Sequence, residues 1–281
     1  MPSLSTSLDL FQYPFMQRAL IGGILTGITG GLLGSFTVVR QLSFFSDALG
    51  HSALLGITIG ILLGVSPTVV VIPFALLFAV GITYLLEKTD LWTDALLNII
   101  YSSSLAISVV VLSFEGSSQS NLSNLLFGDI LALQTSDLIM SGLLLLFCGL
   151  FIGLTLRTQM LLTLNESLAI ARGVNVFAQR TFFMMFLSLV VAISIKAVGV
   201  LLIGAFIVIP ACAAQALSRN FTSYVLLSAF LGAISAAVGI FFSALFNLPS
   251  GPSIVIVQLC FFLLALVWKG GLTRRLPKMS E

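Results

Sequence analysis

Apolar runs of about 20 residues recur along the chain, and they restrict its possible folds more than any other feature. A helix of that length crosses the roughly 30 Å hydrocarbon layer of a bilayer. Of the 281 residues, 58% are hydrophobic and 8% are charged, with a mean hydropathy of +1.17. Soluble domains carry about a quarter charged residues, so too few charges remain here to cover a soluble globule. We therefore predict an all-α, polytopic transmembrane helix bundle.

We predict nine membrane spans, with eight as the alternative. Their approximate limits are residues 18–39, 42–64, 68–86, 91–113, 136–156, 181–197, 199–218, 222–246 and 253–268. The sixth and seventh spans run together through residues 196–199, so one of them is expected to be short or broken, as helices that line transport sites often are. The bundle is expected to form a single transmembrane domain over residues 1–281, with a cytoplasmic loop over residues 157–180.

The positions of lysine and arginine predict the orientation, because these residues are retained on the cytoplasmic side near span ends. With the amino terminus outside, ten of the twelve basic residues lie on the cytoplasmic side. Arg18 and Lys196 are then left at the outer face. We therefore predict an external amino terminus and a cytoplasmic carboxyl terminus.

The predicted cytoplasmic loop contains a short helix with recognisable ends. Asn165 can cap its start, and Gly173 is the residue type that most easily adopts the left-handed conformation that stops a helix. A short capped helix between two spans is suited to docking a partner protein. The alternative is a structured turn without a partner.

Asp47 and His51 are the most informative ionisable residues, because both fall within the second predicted span. They are four residues apart and so share one helical face. His51, the single histidine of the chain, lies about 13 Å along the helix from residue 42, near the midplane. An ionised side chain at a span centre costs roughly 2.5–3.5 kcal/mol, so such a pair indicates a site for ions or protons. The alternative is a buried structural Asp–His hydrogen bond.

A neutral imidazole with a carboxylate suits divalent metals of the zinc, manganese and iron group, whereas calcium and magnesium prefer oxygen ligands alone. Two ligands are too few for a closed tetrahedral site, and a symmetric dimer would supply two of each. Thr58 falls on the same helical face, which is predicted to line a pathway. Asp94 and Asn98, one turn apart at the start of the fourth span, are predicted to be interfacial, with lining of the exit route as the weaker interpretation.

Other functional classes fit the sequence less well. No GxxxxGK[ST] motif occurs, so any ATP-driven work by the P-loop route needs a partner subunit. The HExxH motif of metalloproteases is absent. A secondary transporter would usually show two similar halves, and the sequence contains no second copy of the Asp47/His51 helix. A net charge of +2 without a basic cluster excludes nucleic acid. Gly23, Gly27 and Gly31 are predicted to be helix-packing positions.

Four segments resemble the membrane permeases of metal-ion ATP-binding cassette importers, the family of zinc, manganese and iron permeases. These segments are residues 36–51 (FTVVRQLSFFSDALGH), 126–132 (LFGDILA), 198–211 (VGVLLIGAFIVIPA) and 248–253 (LPSGPS). The segments occur in the same order as in the family, and the resemblance extends from about residue 15 to residue 268. It implies a permease domain of the type II importer kind. Residue 215 departs from the pattern, since Gln215 stands where many relatives have arginine.

The resemblance also implies partners and roles. It implies a homodimer in a bacterial-type cytoplasmic membrane, two cytoplasmic ATPase subunits and an extracytoplasmic metal-binding protein that delivers the ion. Asp47 and His51 correspond to the metal-handling pair, with a transported zinc or manganese ion and no permanently bound cofactor. The ATPase is expected to couple through Glu166, Ala169 and Gly173. Residues 54–56 and the turn at 247–253 are similar to zinc permeases, so zinc is the predicted metal and manganese the alternative.

Overall fold

In a computed structural model that describes residues 12–115, 128, 130 and 133–273, the described residues form ten α-helices and no strand. The helices are α1 (Pro14–Val39), α2 (Ser43–Leu62), α3 (Pro67–Lys88), α4 (Thr93–Glu115), α5 (Thr135–Leu164), α6 (Glu166–Ala171), α7 (Val176–Val198), α8 (Ile203–Leu217), α9 (Phe221–Phe246) and α10 (Ser250–Thr273). Within this part of the chain, eight helices are long and apolar enough to cross a membrane. The all-α membrane bundle predicted from the sequence is confirmed.

The seventh predicted span is the short one. α7 ends at Val198, and a non-helical segment at residues 199–202 separates it from α8, which has 15 residues. Gly199 turns the chain with a φ of 91°. The described part of the bundle therefore has eight long helices and one short apolar helix where nine full spans were predicted, and the expected break lies between the sixth and seventh.

α1 and α9 pack with their backbones in contact. A Cβ atom at Gly27 would collide with the backbone of Gly232, and one at Gly31 would collide with the backbone of Ser228. The Ser228 hydroxyl donates a hydrogen bond to the Gly31 carbonyl oxygen at 2.6 Å. Small residues allow this close approach in membranes, where helices gain little from apolar burial alone. The packing role predicted for the glycines of the first span is confirmed at these positions.

The centre and the periphery of the bundle differ in burial. In their most apolar stretches, two thirds of α1 and α2 are buried, against 22% of α4 and 17% of α5. The exposed side chains of α5 include Leu143, Phe147 and Leu154. Apolar side chains exposed along a membrane helix face lipid or another chain. The helix that carries Asp47 and His51 is therefore central, whereas α4 and α5 are peripheral.

The predicted cytoplasmic loop over residues 157–180 is partly helical. α5 continues to Leu164, whereas the predicted span ended at residue 156. Asn165 then caps α6 by accepting a hydrogen bond from the Leu168 N–H at 3.0 Å. Gly173 follows α6 with a φ of 75°. The cap and the stop were predicted correctly, and the short helix lies within the predicted loop.

Some expectations fall outside the described residues. They include most of the segment 126–132 and the terminal basic residues Arg274, Arg275 and Lys278. Within that segment Gly128 lies against the backbone of Val198 and Gly199, and Ile130 is fully buried. Two of the segments that carry the family resemblance therefore meet at the break between α7 and α8.

Candidate functional site

Asp47 and His51 lie one turn apart on α2, and both side chains are half-buried. α2 starts after a tight turn in which Gln41 adopts a left-handed φ of 57°. This turn directs the first two turns of α2 into the bundle, so that the pair faces other helices rather than the surface. The spacing of the pair was predicted correctly, because four residues make about one helical turn.

The Asp47 carboxylate lies at the amino-terminal end of α8. It is in contact with the backbone of Gly204, in the first turn of α8, and the Gly204 N–H is hydrogen-bonded to it. N–H groups in the first turn of a helix lack an intrahelical partner and carry positive partial charge, so they stabilise a carboxylate there. A short helix whose amino terminus points at an anionic group near a break is a recurring arrangement at transport sites.

His51 faces α4. Its ring meets the ring of Tyr101 edge to face, with centroids 4.9 Å apart and an interplanar angle of 66°. Farther along the same face, the Thr58 hydroxyl shares a 2.8 Å hydrogen bond with Ser108 of α4 and also donates to the Leu54 carbonyl oxygen. α4 therefore covers the α2 face that was predicted to line an open pathway.

Thr58 is accordingly corrected from a lining residue to a packing residue in this conformation. Its side chain is 1% exposed, and both of its hydrogen bonds lie within the chain. Asp94 and Asn98 are exposed near the start of α4, as expected of interfacial residues. They share a side of α4 with Tyr101, since positions four and seven residues apart lie within about 60° on a helix.

One chain would supply only part of a metal shell at this site. Among the residues that the structure describes, no group of three or more His, Cys, Asp or Glu side chains could hold a metal. Asp47 and His51 would provide two protein ligands, and a closed tetrahedral site needs four. Water, backbone oxygens or a second copy of the chain would supply the rest. An incomplete shell suits an ion that must leave again.

Arg40 connects the α1–α2 turn to α5, a role that the sequence did not reveal. Its guanidinium donates to Thr163 Oγ1 at 3.0 Å and to Gln159 Oε1 at 2.5 Å, and it lies 4.6 Å from the centre of the Phe183 ring. Burial, together with the nearby Arg180, lowers the pKa of Arg40 to about 10, so it stays protonated at neutral pH. The position of Arg40 at the end of a span indicates only the orientation of the chain in the membrane. Its contacts could not be predicted, because its partners lie more than a hundred residues away.

The three predicted coupling residues have different environments. Glu166 is half-exposed and forms a 3.0 Å ion pair with Arg180. Ala169 is fully buried, so it seats α6 on the bundle and cannot contact a partner directly. Gly173 supplies the left-handed stop. A cleft of about 390 Å³ lies beside the loop and is lined in part by Arg40 and Glu166.

Comparisons with known proteins identify the family of this chain. The family model described as "ABC 3 transport family" matches residues 12–269. The "Manganese transport system membrane protein MntC" of Listeria monocytogenes is 31% identical over 259 residues, which cover 92% of each chain. The "High-affinity zinc uptake system membrane protein ZnuB" of Haemophilus influenzae is 33% identical over 259 residues, which cover 90% of this chain and 97% of the relative.

A solved structure is also similar. The structure described as "PsaBC from Streptococcus pneumoniae in complex with Fab" superposes with a TM-score of 0.83 at 31% identity, covering 94% of this chain and 95% of that one. The matched regions contain α1 to α9 whole, together with Asp47 and His51. The chain therefore belongs to the ABC 3 transport family, in which it is a multi-pass membrane permease subunit.

Proposed function

We propose that this chain is the permease of an importer that moves a divalent transition metal ion across a bacterial-type cytoplasmic membrane, with ATP hydrolysed by separate subunits. The placement of Asp47 against the amino terminus of α8, with His51 one turn farther along α2, carries the proposal. A carboxylate and an imidazole suit ions of the zinc, manganese and iron group. The names of the relatives support the same class of substrate.

Zinc is the proposed metal and manganese the alternative. Imidazole is a ligand that suits zinc, whereas manganese is suited by carboxylate, carbonyl and water oxygens, so the presence of His51 supports zinc. The similarity of residues 54–56 to zinc permeases supports it as well. Relatives with manganese and zinc names match at comparable identities of 31% and 33%, so the names favour neither metal.

We further propose that the chain works as a homodimer, in which a second copy completes the site in a conformation where α4 no longer covers the Asp47/His51 face of α2. Two chains related by a two-fold axis would contribute two aspartates and two histidines. The exposed residues of α4 include the polar residues Asn98, Ser102 and Ser103. Polar side chains on membrane helices favour helix–helix contacts over lipid. In this arrangement α4 faces the second copy, and Asp94 and Asn98 line the exit route.

In the same proposal α6 docks the ATPase. Leu168 and Ile170 are 45% and 60% exposed on this six-residue helix, which gives a partner an apolar surface. Glu166 would add a charged contact beside them. The proposal places the amino terminus outside and the carboxyl terminus in the cytoplasm, with an extracytoplasmic metal-binding protein delivering the ion at the outer face. If no ATPase subunit co-purifies with the permease, the proposal that the chain belongs to an ATP-driven importer is contradicted.

Uptake of zinc and manganese in competition, measured with the complete importer in proteoliposomes, tests the proposal. Asp47→Asn removes the charge at nearly constant volume, and His51→Ala removes the imidazole. Both variants are expected to lose uptake of the preferred metal. Asp90→Asn is the matched control, because Asp90 is exposed between α3 and α4, and its uptake should equal wild type. Normal uptake by both site variants would place the site elsewhere, and equal uptake of the two metals would refute the choice of zinc.

A further inference from the structure

α2 and α4 lie side by side and present facing stripes of residues. On α2 the stripe occupies about 60° of the helix circumference, and on α4 it occupies about 80°. The α2 stripe consists of Phe44, Asp47, His51 and Thr58, and the α4 stripe consists of Asp94, Asn98, Tyr101 and Ser108. The two stripes are in contact at two levels. At one level the ring of Tyr101 contacts the rings of Phe44 and His51, and at the other Thr58 is hydrogen-bonded to Ser108.

Tyr101 contacts α2 on both sides of Asp47. Its ring centroid lies 4.9 Å from that of His51 and 6.1 Å from that of Phe44, with an interplanar angle of 83° to the latter. Phe44 and His51 are two helical turns apart, and Asp47 lies between them on the same face. A ring that contacts both of them spans the stretch of α2 that carries Asp47, while the carboxylate itself contacts Gly204 of α8. Tyr101 covers the pair from the side of α4.

We propose that Tyr101 is a positioning residue of the metal site, which holds the His51 imidazole in one orientation and closes the pair on the side of Asp94 and Asn98. This inference rests on the proposed function. An imidazole binds a metal through one ring nitrogen, so the orientation of its ring determines whether that nitrogen faces the ion. Removal of a hydrogen-bonding group that orients a metal ligand typically changes metal affinity by about 10–100-fold, and a ring contact without such a bond is expected to act at the lower end of that range.

The second contact between the two helices makes the role of Tyr101 separable from folding. The Thr58–Ser108 hydrogen bond lies two turns beyond His51, and both side chains are fully buried. It holds α4 against α2 independently of the aromatic rings. Loss of the Tyr101 ring is therefore expected to free the His51 side chain while the helix pair stays assembled.

Uptake kinetics of the complete importer test this role with zinc and manganese measured separately. Tyr101→Leu removes the ring at similar apolar character and is expected to raise the KM for metal by about tenfold or more. Tyr101→Phe keeps the ring, and its KM for metal is expected to stay within about twofold of wild type, because the contact with His51 is made by the ring. Ser108→Ala is the control for helix packing, since the Thr58 hydroxyl keeps its bond to Leu54, and its KM should equal wild type.

The outcomes separate this inference from the proposed function. If Tyr101 were only a packing residue, Tyr101→Leu would lower the melting temperature and the maximal rate with an unchanged KM, and the inference would be overturned. An increase in KM at an unchanged melting temperature, rescued in Tyr101→Phe, supports it. Asp47→Asn is measured alongside. Normal uptake by Asp47→Asn would refute the proposed function itself. If Asp47→Asn loses uptake but Tyr101→Leu keeps the wild-type KM, only the role of Tyr101 is refuted.

Discussion

Replacing Gly204 by alanine tests directly whether the end of α8 places Asp47. A Cβ atom at this position would overlap the space occupied by the Asp47 carboxylate. Either the carboxylate or the backbone of α8 must then move. We expect the carboxylate to lose its bond to the Gly204 N–H and to turn away from the helix end, so that metal uptake falls although the bundle still folds.

Three contributions set the expected change in the free energy of unfolding. Loss of a hydrogen bond to a charged group costs about 1.5–3 kcal/mol. Overpacking by one methyl group costs about 1–3 kcal/mol. Alanine is favoured over glycine within a helix by about 0.5–1 kcal/mol, which offsets part of the loss. The net expectation for Gly204→Ala is a destabilisation of about 2–5 kcal/mol.

Thermal unfolding of the purified permease in detergent and zinc uptake by the complete importer measure the two effects. Gly81→Ala is the matched control, because Gly81 is in α3 and a Cβ there would meet no atom within 4 Å. The control should keep full uptake and gain up to about 1 kcal/mol of stability. If Gly204→Ala behaves like Gly81→Ala in both assays, Asp47 does not depend on the end of α8 and the reasoning is refuted.

Two further predictions concern the ends of the bundle. Arg40→Ala is expected to destabilise the permease by about 3 kcal/mol or more, because it removes the hydrogen bonds from the charged guanidinium to Thr163 Oγ1 and to the side-chain and backbone oxygens of Gln159, and a bond to a charged group contributes about 1.5–3 kcal/mol. Arg40→Lys should lose about half of that, and an unchanged melting temperature for Arg40→Ala would contradict the prediction. Lys196 and Asp137 form a 2.5 Å ion pair that is partly exposed, so a double-mutant cycle with Lys196→Met and Asp137→Asn should give a coupling of about 0.2–1 kcal/mol. A coupling of zero would show that the pair does not contribute.

The features that follow from local spacing could be predicted from the sequence. The shared face of Asp47 and His51, the Asn165 cap and the Gly173 stop each depend on residues within one or two helical turns of one another. The close packing of Gly27 and Gly31 also follows from their spacing, because small residues one turn apart form a flat helix face. Local geometry is sufficient for such features.

The features that depend on distant partners could not be predicted. Nothing near Asp47 in the sequence indicates that the first turn of a helix more than 150 residues later lies against it. The covering of His51 by Tyr101 likewise depends on which helices become neighbours. The full length of α5 could not be predicted either, because Arg157 marks only the end of the apolar run, and a helix can continue into water beyond a charged residue.

α5 is longer than a membrane is thick. Its 30 residues, none of them proline, form one continuous helix that is about 45 Å long, about 15 Å more than the hydrocarbon layer. At one end it leads directly into the α6 segment, and in its first turn Asp137 holds Lys196 near the break between α7 and α8. A force applied to α6 would therefore cross one joint, at the extended residue Asn165, and would then act along one continuous helix to the ion pair at the opposite face of the bundle.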